Sequence, residues 1–241
     1  MDKNTIIPDI SVVVLCYKTG LFARKFTENI ISMLKKESID YELILVGNYY
    51  PDSGDITPDV VKDLADKHKE IIAITKPKEG KMGWDMRSGF DAANGRYVAV
   101  IDGDGQMPYE DILKVYRMIK SGNYDLCKTY RIKRYDSFYR RLISAIYNAV
   151  FSIIFMTHAR DTNSKPKIIT REAYNKLKLV SNDWFLDAEI MIQAKRFKFR
   201  IGEIPTIFEQ SVERSSFVKF TAIFEFIKNI VSYRINEFLH K

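Results

Sequence analysis

Residues 97–108 have the sequence Tyr-Val-Ala-Val-Ile-Asp-Gly-Asp-Gly-Gln-Met-Pro, an apolar run that ends in two aspartates. The β-branched residues up to Ile101 predict a buried strand, and Asp102 and Asp104 follow it, each before a glycine. Asp-Gly-Asp-Gly is also common in simple turns, so the motif alone leaves a structural turn and a functional site open. Two carboxylates at a strand end suit Mg²⁺ or Mn²⁺, because these cations take oxygen ligands from carboxylates and phosphates together.

Strand-like and helix-like stretches alternate on both sides of this motif. The predicted strands are Ile10–Tyr17, Tyr41–Val46, Ile71–Thr75, Tyr97–Asp102 and Asp125–Thr129. The predicted helices are Phe22–Lys36, Asp59–Glu70, Trp84–Asn94 and Tyr109–Ser121. This order predicts an α/β fold with a mainly parallel sheet covered by helices on both faces. Ligands of such sheets bind at the carboxyl ends of the strands, where Asp102 and Asp104 lie.

The second half of the chain is less regular. A short strand is predicted at Ile168–Thr170, followed by a helix that begins at Arg171. The stretch Phe217–Leu239 repeats apolar residues at helical spacing, with polar residues on the other face. We therefore predict one domain over residues 1–216 and an amphipathic C-terminal helix over residues 217–241.

The balance of charge predicts an anionic partner. The formal net charge is +7, which suits nucleic acid, an anionic membrane surface or a phosphorylated substrate. No nucleic-acid-binding motif accompanies the charge, so we do not expect nucleic acid as a partner. Six cations cluster between two predicted elements: Lys128, Arg131, Lys133, Arg134, Arg140 and Arg141.

The apolar stretch Leu142–Met156 follows this basic cluster directly. A basic cluster beside an apolar helix predicts contact with an anionic membrane surface, and the C-terminal helix adds a second contact. The alternative is that both helices pack on the domain or on a second subunit of a homo-oligomer.

The cysteines and the apolar segments predict a compartment. Cys16 and Cys127 both lie in apolar segments, as buried free thiols of a reducing compartment do. The N-terminus lacks the pattern of a signal peptide, and no segment reaches the ~20 apolar residues that cross a bilayer. We expect a cytoplasmic protein, peripheral on the inner face of the cytoplasmic membrane.

The residues before the central strand carry a family resemblance. Gly80 and Gly83 lie in a glycine-rich loop, a helix with small residues follows, and Ala-Asn-Gly95 precedes the strand that ends in Asp-x-Asp-x-Gln and a proline. This order resembles glycosyltransferase family 2, and more narrowly the polyprenyl- and dolichyl-phosphate sugar transferases. The resemblance continues in four later segments: Asp161–Glu172, Trp184–Ile190, Ile201–Pro205 and Arg214–Lys219.

The resemblance implies a Rossmann-like GT-A fold and a role for each matching residue. It implies catalytic roles for Asp102, Asp104 and Asp187, with a Mg²⁺ or Mn²⁺ ion held by Asp104 and by Asp102. The donor nucleotide sugar would be bound by Tyr17, Asn48, Lys81, Arg87, Asp102, Gln106, Arg214 and Ser216. The acceptor side would consist of Lys167, Asp187 and Glu189. Gly80 and Gly83 free the loop to wrap a phosphate, with Lys81 and Arg87 nearby as cations.

Two strand ends depart from the family pattern. The first strand ends Leu15-Cys16-Tyr17-Lys18-Thr19, without the family's acidic residue, although Tyr17 remains to stack on a nucleobase. The second ends Val46-Gly47-Asn48 in place of a pair of aspartates. Asn48 has both a donor and an acceptor for a base edge. These changes bear on which nucleotide is bound.

The resemblance implies an inverting, metal-dependent transfer of a hexose-type sugar from a nucleotide-diphosphate donor to a polyprenyl phosphate. One alternative keeps the enzyme class and places a saccharide hydroxyl, as in surface polysaccharide assembly, as the acceptor. Another is a non-catalytic nucleotide-sugar-binding subunit. Asp187 separates the first two, because a hydroxyl needs a general base, whereas a phosphate is already ionised near neutral pH.

Overall fold

The computed structural model describes residues 7–135, 138–156, 160–209, 229–230 and 233–235, with residues 134 and 138–143 described by their backbone alone. The strands are β1 (Ile10–Leu15), β2 (Tyr41–Val46), β3 (Ile71–Ile74), β4 (Tyr97–Asp102), β5 (Leu126–Arg134), β6 (Lys167–Thr170) and β7 (Ile201–Phe208). The helices are α1 (Phe22–Lys36), α2 (Thr57–Lys67), α3 (Met82–Ala92), α4 (Glu110–Lys120), α5 (Phe138–Phe155), α6 (Arg171–Tyr174) and α7 (Leu186–Arg196).

The strands form one sheet in the order β3-β2-β1-β4-β6-β5-β7. Neighbours pair in parallel except for β6, which is antiparallel to both β4 and β5. Two reversals restore the original direction, so β5 and β7 run the same way as β4. The carboxyl ends of β1, β2, β4, β5 and β7 therefore lie at one edge of the sheet. The predicted α/β class with a mainly parallel sheet is confirmed.

Helices cover both faces of the sheet, which explains the continuous apolar strands. Val12 and Val14 of β1 point into one core, which the buried faces of α1, α2 and α4 complete. Val13 and Leu15 point into the other, with α3, α5 and α7. A strand buried on both faces favours apolar residues at nearly every position. All six residues of β1 are buried, and its one polar residue, Ser11, donates to Glu42 Oε1 at 2.6 Å.

β5 is longer than the predicted Asp125–Thr129, because β7 supplies hydrogen-bonding partners as far as Arg134, with a shift in register after Arg131. The segment Ile201–Pro205, which carries part of the family resemblance, begins β7, and this strand extends to Phe208. Both strands therefore continue well beyond the point where β4 ends.

The predicted C-terminal helix is helical where it is described, at residues 229–230 and 233–235; the rest of it lies outside the described residues. Ile230 is 2% exposed, and the Tyr233 ring lies 6.2 Å from that of Phe155 and 5.4 Å from that of Phe185. Ile230 and Tyr233 thus pack on the domain, whereas Ile235 is 51% exposed. The boundary at residues 216 and 217 stays a prediction.

Candidate active site

The two aspartates of the central motif lie at the carboxyl end of β4, next to the end of β1. The Gly103 N–H donates to Leu15 O at 2.9 Å, and the Gln106 N–H donates to Asp104 Oδ1 at 3.1 Å. Gly105 has φ of +71°, and a Cβ there would meet the Phe22 ring at 2.6 Å. A glycine is therefore required for the turn that presents Asp104 and Gln106 at the sheet edge.

Asp102 lies at one end of an ion-pair network of four side chains. Lys165 Nζ lies 3.2 Å from Asp102 Oδ1, 3.3 Å from Asp102 Oδ2 and 3.1 Å from Asp187 Oδ2. Lys167 Nζ lies 2.5 Å from Asp187 Oδ1. The side chains of Lys165, Lys167 and Asp187 are each at most 4% exposed, whereas that of Asp102 is 32% exposed. Asp102 is therefore the member of this network that reaches solvent.

The two lysines set the protonation of Asp187. Burial alone would raise its pKa, but Lys165 and Lys167 outweigh burial and hold the pKa of Asp187 below its usual value. Burial lowers the pKa of Lys167 to about 8, against the attraction of Asp187. A carboxylate held by two ammonium groups is a weak proton acceptor, so this geometry favours an orienting role for Asp187 over that of a general base.

The residues at this edge fit a divalent cation that also binds a ligand. No group of three or more His, Cys, Asp or Glu side chains among the described residues forms a complete metal site. Asp104 is half-buried at the edge, beside Asp102, whose oxygens both face Lys165. A cation there would need further oxygen ligands from a bound group, and such cations take them from phosphates as well as from carboxylates.

Asn48, at the end of β2, is used within the protein. Its amide donates to Asp85 Oδ1 at 2.9 Å and to Ser88 Oγ at 3.2 Å, and its oxygen accepts from the Lys76 N–H at 2.8 Å. The residue is 0% exposed. The predicted contact of Asn48 with a base edge does not fit this geometry, because its amide is buried and already hydrogen-bonded.

Tyr17 lies beside this buried cluster at the end of β1. Its ring is edge-on to Tyr50, with centroids 6.2 Å apart. The Lys78 ammonium lies 4.2 Å from the Tyr17 centroid and pairs with Asp85. Burial raises the pKa of Asp85 against the attraction of Lys78. The predicted stacking of Tyr17 on a base stays a prediction, and Lys78 adds a cation next to it.

The two cations of the glycine-rich loop differ in placement. Arg87 turns to residues 180–182, donating to Val180 O at 3.0 Å and to Asn182 Oδ1 at 2.7 Å. The Lys81 N–H donates to Asn182 O at 2.8 Å, next to the start of α3. Arg87 thus secures a loop, which does not fit the predicted contact with a diphosphate. The role of Lys81 stays a prediction.

Glu189 also secures that loop. It is 0% exposed, and its carboxylate accepts from the Val180 N–H at 3.1 Å, from the Ser181 N–H at 2.9 Å and from Gln193 Nε2 at 3.2 Å. Asp187, two residues earlier on α7, faces the lysines instead. The predicted acceptor-side role of Glu189 does not fit, because its carboxylate is enclosed by protein groups.

We expect Glu189→Gln to lower stability more than chemistry. An amide can replace only part of the carboxylate's accepting capacity, and hydrogen bonds to a charged group contribute about 1.5–3 kcal/mol. The free energy of unfolding, from urea titration, should fall by about 1–3 kcal/mol, with Mn²⁺ binding retained. If Glu189→Gln keeps its stability but loses turnover, Glu189 acts in acceptor binding as the family resemblance implies.

Two members of the predicted basic cluster are buried in ion pairs. Lys128 is 0% exposed and lies 3.0 Å from Glu203 Oε1. Arg131 meets Asp161 through two hydrogen bonds of 2.6 and 2.7 Å. The predicted membrane contact concerns Arg131 to Arg141, and the ion pair of Arg131 with Asp161 corrects it for Arg131. Lys133 is exposed, and the side chains of Arg134, Arg140 and Arg141 lie outside the description.

The Arg131–Asp161 pair predicts acid sensitivity. Although burial opposes it, Arg131 lowers the pKa of Asp161 to about 2, from an ordinary value of about 3.9. The folded-state pKa is the lower one, so the pair's contribution is complete above about pH 4 and is lost as pH falls toward about 2. The shift corresponds to about 2–3 kcal/mol. Urea unfolding across this range should show that loss in the wild type, and Asp161→Asn should lack it.

Arg214 and Ser216 lie outside the described residues, so their predicted donor contacts stay predictions. The chain leading to them starts at the site: Gln106 Nε2 donates to Glu209 O at 3.3 Å, and the Glu209 N–H donates to Gln106 O at 2.8 Å. Gln106 therefore ties the Asp102–Asp104 turn to the end of β7.

Two solved structures with a similar fold are complexes with a nucleotide or nucleotide sugar. Glucosyl-3-phosphoglycerate synthase from Mycobacterium tuberculosis, in complex with Mn²⁺, UDP and glucosyl-3-phosphoglycerate, matches with a TM-score of 0.68 and 13% identity over 93% of this chain and 77% of that one. The mannosyltransferase PcManGT from Pyrobaculum calidifontis, in complex with GDP-Man and Mn²⁺, matches with a TM-score of 0.62 and 16% identity over 98% of this chain and 66% of that one. These likenesses confirm the GT-A type of fold.

Sequence relatives include the undecaprenyl-phosphate 4-deoxy-4-formamido-L-arabinose transferase of Photorhabdus laumondii, 29% identical over 147 residues. That match covers 61% of this chain and 44% of the relative, so the chain spans less than half of that protein's length. The family model described as "Glycosyl transferase family 2" matches residues 11–181. Because that match covers well over half of the 241 residues, the protein belongs to glycosyl transferase family 2.

Proposed function

We propose that the protein transfers a sugar from a nucleotide-diphosphate donor to a polyprenyl phosphate, with inversion at the anomeric carbon. The observation that carries the proposal is the ion-pair network in which Lys165 joins Asp102, at the end of β4, to Asp187, which Lys167 of β6 also contacts. Family membership supports the donor, and the undecaprenyl-phosphate transferase among the relatives supports the acceptor.

On the donor side, Asp104 would hold Mg²⁺ or Mn²⁺ together with the diphosphate oxygens. When bound, the cation stabilises the charge that develops on the leaving diphosphate. Gln106 would help to position the donor, and Asp102, fixed by Lys165, would face its sugar. Lys81 and Arg214 would provide further positive charge. Tyr17, with Lys78 against its ring, would lie toward the base.

On the acceptor side, the loop between Asp161 and Lys167 supports recognition of a phosphate. Thr162 Oγ1 and Asn163 Oδ1 are buried with no hydrogen-bond partner among the described residues. Buried polar atoms without partners are rare in folded proteins. The Thr162 hydroxyl could donate to a phosphate oxygen, whereas Asn163 Oδ1, which only accepts, could not. Lys165 and Lys167 are buried and paired with Asp102 and Asp187, so the predicted acceptor-side contact of Lys167 does not fit this geometry. An ionised phosphate oxygen would attack the anomeric carbon without needing a base.

One face of α5 supports contact with an anionic membrane. Ile146, Val150 and Ile153 are 55%, 38% and 76% exposed at helical spacing, while Phe151 and Phe155 pack into the core. No helix of the described residues is long and apolar enough to cross a bilayer. An apolar helix face close to basic residues suits the interface of an anionic leaflet. The protein would act there, at the inner face of the cytoplasmic membrane.

A screen of nucleotide sugars with membrane lipid extract tests this function. We expect Mn²⁺-dependent incorporation of sugar into a lipid that organic solvent extracts, and none with the Asp104→Asn variant. If sugar is incorporated only into a water-soluble saccharide, the acceptor is a saccharide hydroxyl and not a lipid phosphate. Donor binding without turnover of any donor would indicate a non-catalytic binding subunit.

A further inference from the structure

We propose that Lys165 is a positioning residue that holds Asp102 through both carboxylate oxygens and joins it to Asp187, keeping Asp102 from the divalent cation. The cation would then meet Asp104. The inference rests on the proposed function only for the presence of that cation, and it assigns Lys165 a role on the donor side of the reaction.

The register of the sheet brings Lys165 to Asp102. In the antiparallel pairing of β4 with β6, Tyr97 faces Thr170 and Val100 faces Lys167. The pairing ends at Val100 and Lys167, with Asp102 two residues after Val100 and Lys165 two residues before Lys167, so Asp102 and Lys165 both lie just beyond the last paired residues. The ammonium groups of Lys165 and Lys167 both contact Asp187 at the start of α7.

The charges around Lys165 explain why its place is fixed. Its side chain is 4% exposed, and its ammonium lies within 3.3 Å of carboxylate oxygens on two different elements. A buried ammonium is stable only when paired, and Lys165 has a carboxylate on either side. Without it, Asp102 and Asp187 would face each other as like charges, and Asp102 would be free to turn toward a cation.

The proposal predicts opposite changes in metal affinity and turnover. Lys165→Met should strengthen binding of Mn²⁺ alone by at least about tenfold, because a nearby positive charge is removed and a second carboxylate becomes available. Turnover should fall by about 10- to 100-fold, because Asp102 leaves its productive position. Electron paramagnetic resonance of free Mn²⁺ measures the affinity without donor or acceptor.

Three further variants separate positioning from folding. Lys165→Arg keeps the charge and should retain the wild-type Mn²⁺ affinity. Lys128→Met removes another buried, paired lysine and should lower stability without altering that affinity. Combining Lys165→Met with Asp102→Asn should abolish the gain in affinity, because the freed carboxylate is then absent.

Unchanged or weaker Mn²⁺ binding in Lys165→Met overturns the proposal, as does a gain that persists in the double variant with Asp102→Asn. The outcome is independent of the acceptor. A protein that gives the affinity changes yet ignores lipid phosphates contradicts the proposed function and leaves the role of Lys165 standing. If the protein glycosylates lipid phosphate but Lys165→Met does not change the Mn²⁺ affinity, the proposed function stands and the role of Lys165 is wrong.

Discussion

Replacing Asp104 by Asn is expected to lower kcat/KM by about 10³-fold, the largest effect on catalysis of any single change considered. Asp104 is the half-buried carboxylate of the turn after β4, where its Oδ1 accepts from the Gln106 N–H. Stabilisation of a leaving diphosphate by a metal contributes several kcal/mol, and each 1.36 kcal/mol is about tenfold in rate. The variant should also lose the Mn²⁺ dependence of nucleotide binding, which calorimetry measures with and without EDTA.

Asp66→Asn is the matched control, because Asp66 is an exposed aspartate on α2, away from the site edge. It removes the same charge and should leave both turnover and nucleotide binding unchanged. If the wild type binds the nucleotide equally well in EDTA and in Mn²⁺, the proposed role of the metal in donor binding is wrong. An Asp104→Asn enzyme with full turnover would contradict that role as well.

Replacing Asp187 by Asn is expected to have the largest effect on stability. Asp187 is 1% exposed, and its carboxylate forms ion pairs with the ammonium groups of two buried lysines, Lys165 and Lys167. Removing one partner of a buried ion pair costs about 3–5 kcal/mol, because a charge stays buried without compensation. The free energy of unfolding from urea titration should fall by that amount. Adding Lys167→Met should restore part of the loss, since one uncompensated ammonium is then removed.

The same variant distinguishes the two kinds of acceptor when assayed below its melting temperature. With a phosphate acceptor, turnover should fall by about 10- to 100-fold through lost orientation, with little pH dependence above about pH 7. With a saccharide hydroxyl, loss of a general base costs about 10²- to 10⁴-fold, and the wild-type rate falls on acidification. A folded Asp187→Asn protein that is inactive toward lipid phosphate would contradict the orienting role.

The sequence predicts most of the fold because its signals are local. Apolar runs of strand length and amphipathic stretches locate the first five strands and the first four helices to within a few residues. The end of β5 is an exception, since its length depends on pairing with β7, about 75 residues later along the chain. Such pairing leaves no local signal in a strand that carries Lys128, Arg131 and Lys133.

The site is predicted less completely, for the same reason. Asp102, Asp104 and Gln106 are recognisable because they are adjacent in sequence. Lys165 is not, because its importance depends on the antiparallel register of β4 and β6. Residues that fit the family pattern, such as Arg87 and Glu189, prove to hold the loop at residues 180–182. A side chain's chemistry shows what it can bind, whereas only the fold shows what is within its reach.

Whether the acceptor is a lipid phosphate can be tested by measuring the transfer of labelled sugar to three matched acceptors: undecaprenyl phosphate, undecaprenol and a free saccharide. Each is presented in anionic vesicles with Mn²⁺ and the donor selected by the screen. We predict a glycolipid product with undecaprenyl phosphate and none with undecaprenol, because the ionised phosphate is the nucleophile. Labelled saccharide, with undecaprenyl phosphate unreacted, would contradict the account.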